Sequence, residues 1–330
     1  MTKRRLNSMW FALAMAGAAG LAMLAGQPAS AQTMRLPHCC AADSHFDLGA
    51  KKFAELLDKK TDGKMKVRVF PGGQLGQESE VIQNVQSGTI EFTLIGHDPL
   101  AQFAPITTVL SQPYLFRDHE HAFRLLAGPL GQQIDAALRE RGLRALAWGD
   151  NGARVYTNNT RPLNVPADAA GLKIRSPQSP VNLAVTKAFG GIPIAMPYGE
   201  VYTALQQKTI DGQENAVINI FPARLYEVQK YMTMTDHLLS FTVLLVNEQS
   251  FSKWTDEQKN AVTSAAQEAM EFQRQTSKRM SAEQTAEMEK KGVQVNRPDL
   301  AKFRDAALPL HQEYVGKNFS RELYDLIRAN

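Results

Sequence analysis

Phe46-Asp47-Leu48-Gly49-Ala50-Lys51-Lys52-Phe53-Ala54-Glu55-Leu56-Leu57, Thr61-Asp62-Gly63 and Met65-Lys66-Val67-Arg68-Val69-Phe70 follow one another in the first part of the chain. In the first segment Leu48, Ala50, Phe53, Ala54 and Leu57 recur at helical spacing. The second is a stop signal. The third alternates as a strand should. Working outward, Met34 to Pro37 reads as a short strand and Pro71-Gly72-Gly73 as a turn. Glu78 to Val85 begins a helix, and Ile90 to Ile95 is another strand. The order strand, helix, strand, helix, strand predicts an α/β fold, its mostly parallel sheet covered by helices on both faces.

The pattern returns further on. Leu143 to Trp148, Lys173 to Ile174 and Phe241 to Val246 read as strands, Pro180 to Phe189 and Tyr198 to Gln206 as helices. Thr255 to Lys291 differs. It has no Pro or Gly, and Thr255 with Gln258 makes a capping box before Gly292 stops it. Fully helical, it spans roughly 55 Å, so it either breaks or braces two domains. Scattered Ala and Gln at the core positions weaken a coiled-coil reading, and Met280 and Met288 read as core fillers.

Met1-Thr2-Lys3-Arg4-Arg5, the apolar run Met9 to Ala25 and Ala29-Ser30-Ala31 have the order of a cleaved secretory signal, predicted to cover residues 1–31. Lys3, Arg4 and Arg5 leave with it, so the formal charge falls from +4 to +1. No basic field remains to argue for nucleic acid, and no other run is long and apolar enough for a span. Folding outside the cytoplasm disfavours chemistry tied to ATP or a cytosolic coenzyme. The adjacent Cys39 and Cys40 offer no disulfide framework, since bridged cysteines want more separated Cα atoms. Free buried thiols are expected, and no CxxC spacing points to a metal.

Catalytic signatures are missing. There is no G-x-S-x-G, H-E-x-x-H, Walker A or G-x-G-x-x-G. Gly72-Gly73-Gln74-Leu75-Gly76 reads as a turn and helix entry. His38, His45 and His97 are too scattered to argue for a shared zinc, and neither metal nor cofactor is expected. Asp211-Gly212-Gln213-Glu214-Asn215 holds two carboxylates but brings no nucleophile with it. It reads as a hydrogen-bonding wall at the edge of the core formed by Ala216, Val217, Ile218, Ile220 and Phe221. In Gly171-Leu172-Lys173-Ile174-Arg175, Leu172 and Ile174 share one strand face, Lys173 and Arg175 the other. A guanidinium at that strand end suits a carboxylate as a two-pronged pair. An ordinary surface arginine fits the pattern equally well.

Together these segments resemble the DctP-like solute-binding subunits of TRAP transporters, the tripartite ATP-independent periplasmic systems. The landmarks are Phe53-Ala54-Glu55-Leu56, Val69-Phe70-Pro71 with Gln74-Leu75-Gly76, Gln112-Pro113-Tyr114-Leu115-Phe116, Gly171 to Arg175, Glu200 to Gln206, Asp211 to Asn215 and Tyr226 to Tyr231. Each is weak alone, whereas their order and spacing are specific. The resemblance implies a two-lobed periplasmic binding protein with mixed sheets flanked by helices, a ligand cleft between the lobes and a long helix spanning both. Residues 32–152 with 241–280 would form lobe I, and 153–240 with 281–330 lobe II.

It also implies a role. Arg175 would pair with a ligand carboxylate, Asn215 would orient it, and Arg154 would be a second basic position. Asn151, Tyr198, Asp236, Asp98, Asp43 and His38 are further candidate contacts. Ala153 stands where relatives commonly carry an aromatic residue, and His38-Cys39-Cys40 departs from the usual loop. The expected partners are a small organic acid anion and a TRAP-type membrane permease, with the binding subunit itself a periplasmic monomer. A sugar acid is slightly favoured over a C4-dicarboxylate, which would want Arg154 as second anchor, or a 2-oxo acid, which would want an apolar wall. A ligand-presenting sensor and, remotely, an extracytoplasmic enzyme acting on a small acid are the alternatives.

Overall fold

The computed structural model describes residues 33–330; the export-signal reading of residues 1–31 lies outside them. Strand β1 (Met34–Pro37) leads into a helix, His45–Lys60, whose first turn is capped by the Ser44 side chain accepting from Asp47 N–H. Strand β2 (Val67–Phe70) then pairs parallel with β1. Helix Glu78–Gln86 and β3 (Phe92–Gly96) complete the predicted alternation.

The expected parallel order breaks at the next strand. β4 (Leu143–Asn158) runs for 16 residues, about 53 Å at ~3.3 Å per residue. From Leu143 to Ala153 it lies antiparallel to β9 (Leu239–Asn247), and β9 lies antiparallel to β3. From Arg154 onward β4 pairs antiparallel with β7 (Gly212–Ala216), and from Tyr156 also with β8 (Tyr231–Thr233). β5 (Lys173–Ser176) lies parallel between β6 (Ile192–Ala195) and β7, and β10 (Gln294–Asn296) joins β8 in parallel. The sheets are therefore mixed. Residues between β4 and β9 form an excursion that returns beside its starting strand, so an antiparallel pair closes it without a helical crossover.

One strand thus serves two lobes. The register of β4 against β9 shifts between Asp150 and Gly152, a bulge just before Arg154, where the strand takes β7 as a partner. Gly152 has φ +80°, and a Cβ there would lie 2.9 Å from the Ala216 side chain, so glycine alone fits.

Helix Asp256–Lys290 is unbroken over 35 residues, about 52 Å. Val262, Ala266 and Met270 pack with Phe53, Phe92 and Leu244 in one core, whereas Met288 packs with Val155, Val217 and Met232 in another. The helix is a brace. Its Gln273 crosses β4 where Gly149 leaves room; a Cβ on Gly149 would lie 2.2 Å from the Gln273 Oε1 atom.

Candidate functional site

Along β5 Lys173 is exposed, whereas Ile174, Arg175 and Ser176 are all buried, so the face shared by Lys173 and Arg175 is open at the start of the strand and covered at its end. Arg175 is 2% exposed. Its Nε donates to the Met196 carbonyl at 2.9 Å, and its guanidinium carbon lies 5.9 Å from the centre of the Tyr198 ring. No carboxylate pairs with it among the described residues. Burial, then the like charge of Arg154, lowers its pKa from the usual guanidinium value. An arginine stays charged through such a shift, so a buried cation stands without a carboxylate in direct contact, Glu214 and Glu78 acting on it only at longer range. That is costly unless something pairs with it.

Arg154, the first β4 residue to pair with β7, is the opposite case. Its Nη2 donates to Glu214 Oε1 at 3.0 Å and to the Glu214 carbonyl at 2.8 Å, and its Nε donates to Oε2. Its Nη1 lies 3.5 Å from Asp98 Oδ2. His237 Nε2 approaches Glu214 at 3.3 Å. Burial pushes the Glu214 carboxyl up, but Arg154 and His237 outweigh it and bring it down to about 2. The wall read from Asp211 to Asn215 is thus a set of internal partners. Glu214 neutralises Arg154, and Asp211 accepts from Lys173 N–H at 2.8 Å.

A relay of amides orients Asn215. Its Oδ1 accepts from Arg154 Nη1 at 3.3 Å, from Asn219 Nδ2 at 2.9 Å and from Ala216 N–H at 2.9 Å. With the oxygen so engaged, its NH2 group remains a donor for the cleft. Asn219 Nδ2 also donates to Asn151 Oδ1 at 2.9 Å, and Asn219 Oδ1 accepts from His45 Nε2 at 3.0 Å. Gln273 Nε2 donates to His45 Nδ1 at 2.7 Å, which assigns His45 the neutral Nε2–H tautomer. Burial holds its pKa down to about 4. The bracing helix therefore reaches the cleft through Gln273, His45 and Asn219.

The opposite wall is acidic. Glu78, at the start of its helix, accepts from Gly96 N–H at 3.2 Å, and burial raises its pKa. Asp98 follows β3 and is 4% exposed; its Oδ1 has no hydrogen-bond partner. Asn151 donates from Nδ2 to Ser240 Oγ at 3.0 Å, and Tyr198 donates its hydroxyl to the Asn219 carbonyl at 2.8 Å. The cavity bounded by these groups holds about 30 Å³, room for a couple of waters. At its rim Gln178 joins the two sides, its carbonyl accepting from Gln102 Nε2 at 3.0 Å and its Oε1 from Ser79 Oγ at 3.3 Å. This is a closed arrangement.

Arg175, Asn215, Arg154, Asn151, Tyr198 and Asp98 thus meet around one cavity. The other three candidates do not line it. His38 is buried against Asp47 with Nε2 3.3 Å from Oδ1. Asp43 is exposed at φ +63° and lies 3.7 Å from Lys51. Asp236, at φ +44°, lines a separate cavity of about 660 Å³ with Tyr114, His119, Ala153 and Arg304. Asp236 belongs to the turn between β8 and β9, and Asp43 to the turn before the first helix. Neither aspartate lines the cavity that holds Arg175.

Residues 37–318 match the family model of the bacterial extracellular solute-binding protein, family 7, DctP. The chain belongs to this family. The 2,3-diketo-L-gulonate-binding periplasmic protein YiaO of Escherichia coli is 38% identical over 270 residues, which are 82% of this chain and 81% of that protein. The sialic acid-binding periplasmic protein SiaP of Vibrio cholerae is 34% identical over 266 residues, 80% of this chain and 83% of SiaP. A TRAP periplasmic solute-binding protein of Roseobacter denitrificans, crystallised with bound β-D-glucuronate, superposes with TM-score 0.87 at 34% identity, covering 90% of this chain and 99% of the other. A member of this family binds solute for a transporter and is not an enzyme.

Within the family 7 architecture, the sequence reading did not pick out Glu78, Asn219 or the service of Glu214 to Arg154. Glu78 opens an ordinary amphipathic helix, and only the capping pattern at Gln77 marks the place. Asn219 sits in an apolar run, Val217–Ile220, where a lone amide is the available signal.

Proposed function

We propose that this protein captures a small hydroxylated monocarboxylic acid, of the sugar-acid class, and delivers it to a TRAP-type permease from the periplasm as a monomer. The observation that carries this is Arg175, a buried guanidinium without a carboxylate partner among the described residues. A ligand carboxylate would supply the missing counter-charge as a bidentate pair, and the Asn215 amide would add a donor. Arg154 is neutralised by Glu214, which leaves no second unpaired cation lining the cavity for a dicarboxylate among the described residues. Asp98 and Glu78 offer acceptors to ligand hydroxyls and would repel a second carboxylate. The relatives compared above bind 2,3-diketo-L-gulonate, sialic acid and β-D-glucuronate, all hydroxylated monocarboxylic acids.

Capture then follows from the geometry. Small-molecule pockets measure roughly 300–1,000 Å³, so the lobes must part before an acid enters the present space. The proposed moving bodies are residues 32–152 with 241–280 and residues 153–240 with 281–330. Closure removes water and strengthens the Arg175 pair.

The test is thermal shift of the mature chain, residues 32–330, across sugar acids, C4-dicarboxylates and 2-oxo acids. The chain is first unfolded and refolded to strip any co-purified acid. Binding to the folded state raises the melting temperature, and the largest rise is expected with a hydroxylated monoacid. No rise with any acid would sink the reading; a rise confined to dicarboxylates would overturn its hydroxylated part.

A further inference from the structure

Cys39 and Cys40 follow β1 and both line the cleft. They are free thiols with their sulfurs 3.3 Å apart. Backbone bonds fix the loop that carries them: Gly72 N–H donates to the Cys40 carbonyl at 2.7 Å and Gly73 N–H to the His38 carbonyl at 3.0 Å. Cys40 is buried and Cys39 half-buried. Two thiols in contact, adjacent in sequence and set in the wall of a binding cleft, have a chemistry that carboxylate capture does not require.

We propose that Cys39 and Cys40 are a reversible thiol–disulfide site, which a small disulfide oxidises to a vicinal bridge when the cleft is open and which a bound acid shields. The bond-forming half stands on the sulfur geometry alone, and the shielding half rests on the carboxylate reading above.

The exchange proceeds in two displacements. One thiol loses its proton, and its sulfur attacks the small disulfide RS–SR. One RS group leaves and takes up a proton as RSH, and a mixed disulfide remains on the protein. The second thiol, deprotonated in turn, attacks the protein-bound sulfur and expels the other RS group as RSH. Two cysteines give up two electrons, and one RS–SR becomes two RSH.

Two physical features make the site conditional. The hydrogen bond between the sulfurs, burial and the nearby Glu78 charge hold the Cys39 thiol well above its usual range. The thiolate is therefore scarce while the cleft is shut, and exchange belongs to the open form. Neighbouring Cα atoms lie about 3.8 Å apart, closer than the roughly 4.4–6.8 Å that bridged cysteines favour. The bridge strains its loop, and strained disulfides are the readily reduced ones. Bridging also removes the thiol hydrogens beside Glu78 and pulls on the loop bonded to Gly72 and Gly73.

The experiment uses the reduced mature chain, residues 32–330, and oxidised glutathione at about pH 8, where thiolate forms, with and without D-galacturonate as probe. The expected product is lighter by about 2 Da, has neither cysteine open to alkylation after denaturation, and reverts with dithiothreitol. C40S should stop at a stable glutathione adduct on Cys39, because the second displacement lacks its sulfur. Saturating galacturonate should slow the wild-type reaction about tenfold or more, by holding the cleft closed. Retention of two alkylatable thiols, or persistent glutathione adducts on the wild type, overturns the site. An unchanged rate with galacturonate that does raise the melting temperature overturns the shielding. If no acid in the panel raises the melting temperature while the bridge still forms, the carboxylate reading fails and the modification site stands.

Discussion

Glu214 accepts from Arg154 Nη2 at 3.0 Å, and this buried pair leaves Arg175 as the one guanidinium lining the cleft without a carboxylate partner among the described residues. The two arginines are alike in burial and opposite in circumstance. One is internal structure, and the other waits on a ligand.

Replacing Arg175 should therefore separate binding from stability. Arg175→Met is expected to weaken acid binding about 100-fold or more, through loss of a charge-assisted bidentate pair. It should also raise the melting temperature of the acid-free protein, because an unpaired buried charge is removed. Arg175→Lys should weaken binding too, since a point charge cannot reproduce the fork. Calorimetric titration and thermal unfolding of the same samples decide this, and a destabilised R175M with intact affinity would contradict it.

Glu214→Gln should do the reverse. It strands Arg154 in the interior, and breaking a buried pair from one side costs about 3–5 kcal/mol. Urea unfolding measures the loss. A stability within about 1 kcal/mol of the parent would mean that Asp98, 3.5 Å from Arg154, takes over as counter-ion.

Asp98→Asn tests the acidic wall. The unpartnered Oδ1 is expected to accept a ligand hydroxyl, so affinity for a sugar acid should fall about tenfold, the worth of one hydrogen bond to a charged group. Succinate should bind the variant no worse than the parent, because one repulsive charge has gone. Equal losses for both acids would assign Asp98 a purely structural part.

His45 predicts a pH dependence. In the unfolded chain it titrates near 6.5, and burial in the folded chain holds it down to about 4. Between those values the unfolded state binds more protons, so stability falls as the solution is acidified through that window. The full effect is about 3 kcal/mol. Glu214, down to about 2 from 4.5, loses its stabilisation at lower pH, between those two values, so the two windows overlap only from about 4.5 to about 4. Urea midpoints from about pH 7 to about pH 4.5 should drop for the parent and drop less for His45→Gln, the remaining fall coming from His38, His97, His121 and His311, whose pKa values burial also lowers. Parallel curves for the two proteins would rule the histidine out as the source.

What the sequence disclosed was local. The Thr255–Gln258 capping box, the helix faces and the strand end at Arg175 are short-range patterns, and the structure has each of them. The full length of β4 was hidden because Gly149-Asp150-Asn151-Gly152 has the composition of a turn, whereas here it is a bulge inside a continuing strand. The engagement of Arg154 by Glu214 joins residues far apart in the chain, and no local spacing encodes it. Asp43 and Asp236 had the right chemistry, but each occupies a left-handed turn position, which aspartate favours for its own backbone reasons.

The strand pairing also constrains the order in which the chain can fold. β3 ends at Gly96, yet its partner β9 ends at Asn247, so the sheet of β3, β9 and β4 cannot close until most of the polypeptide exists. Contacts so distant in sequence carry a loop-closure penalty and slow folding. Such a delay suits a polypeptide that crosses a membrane before it folds. A nascent chain whose β3 lacks its mate would stay open to chaperones and to threading through a narrow translocation pore, and would take up its native topology once β9 has arrived.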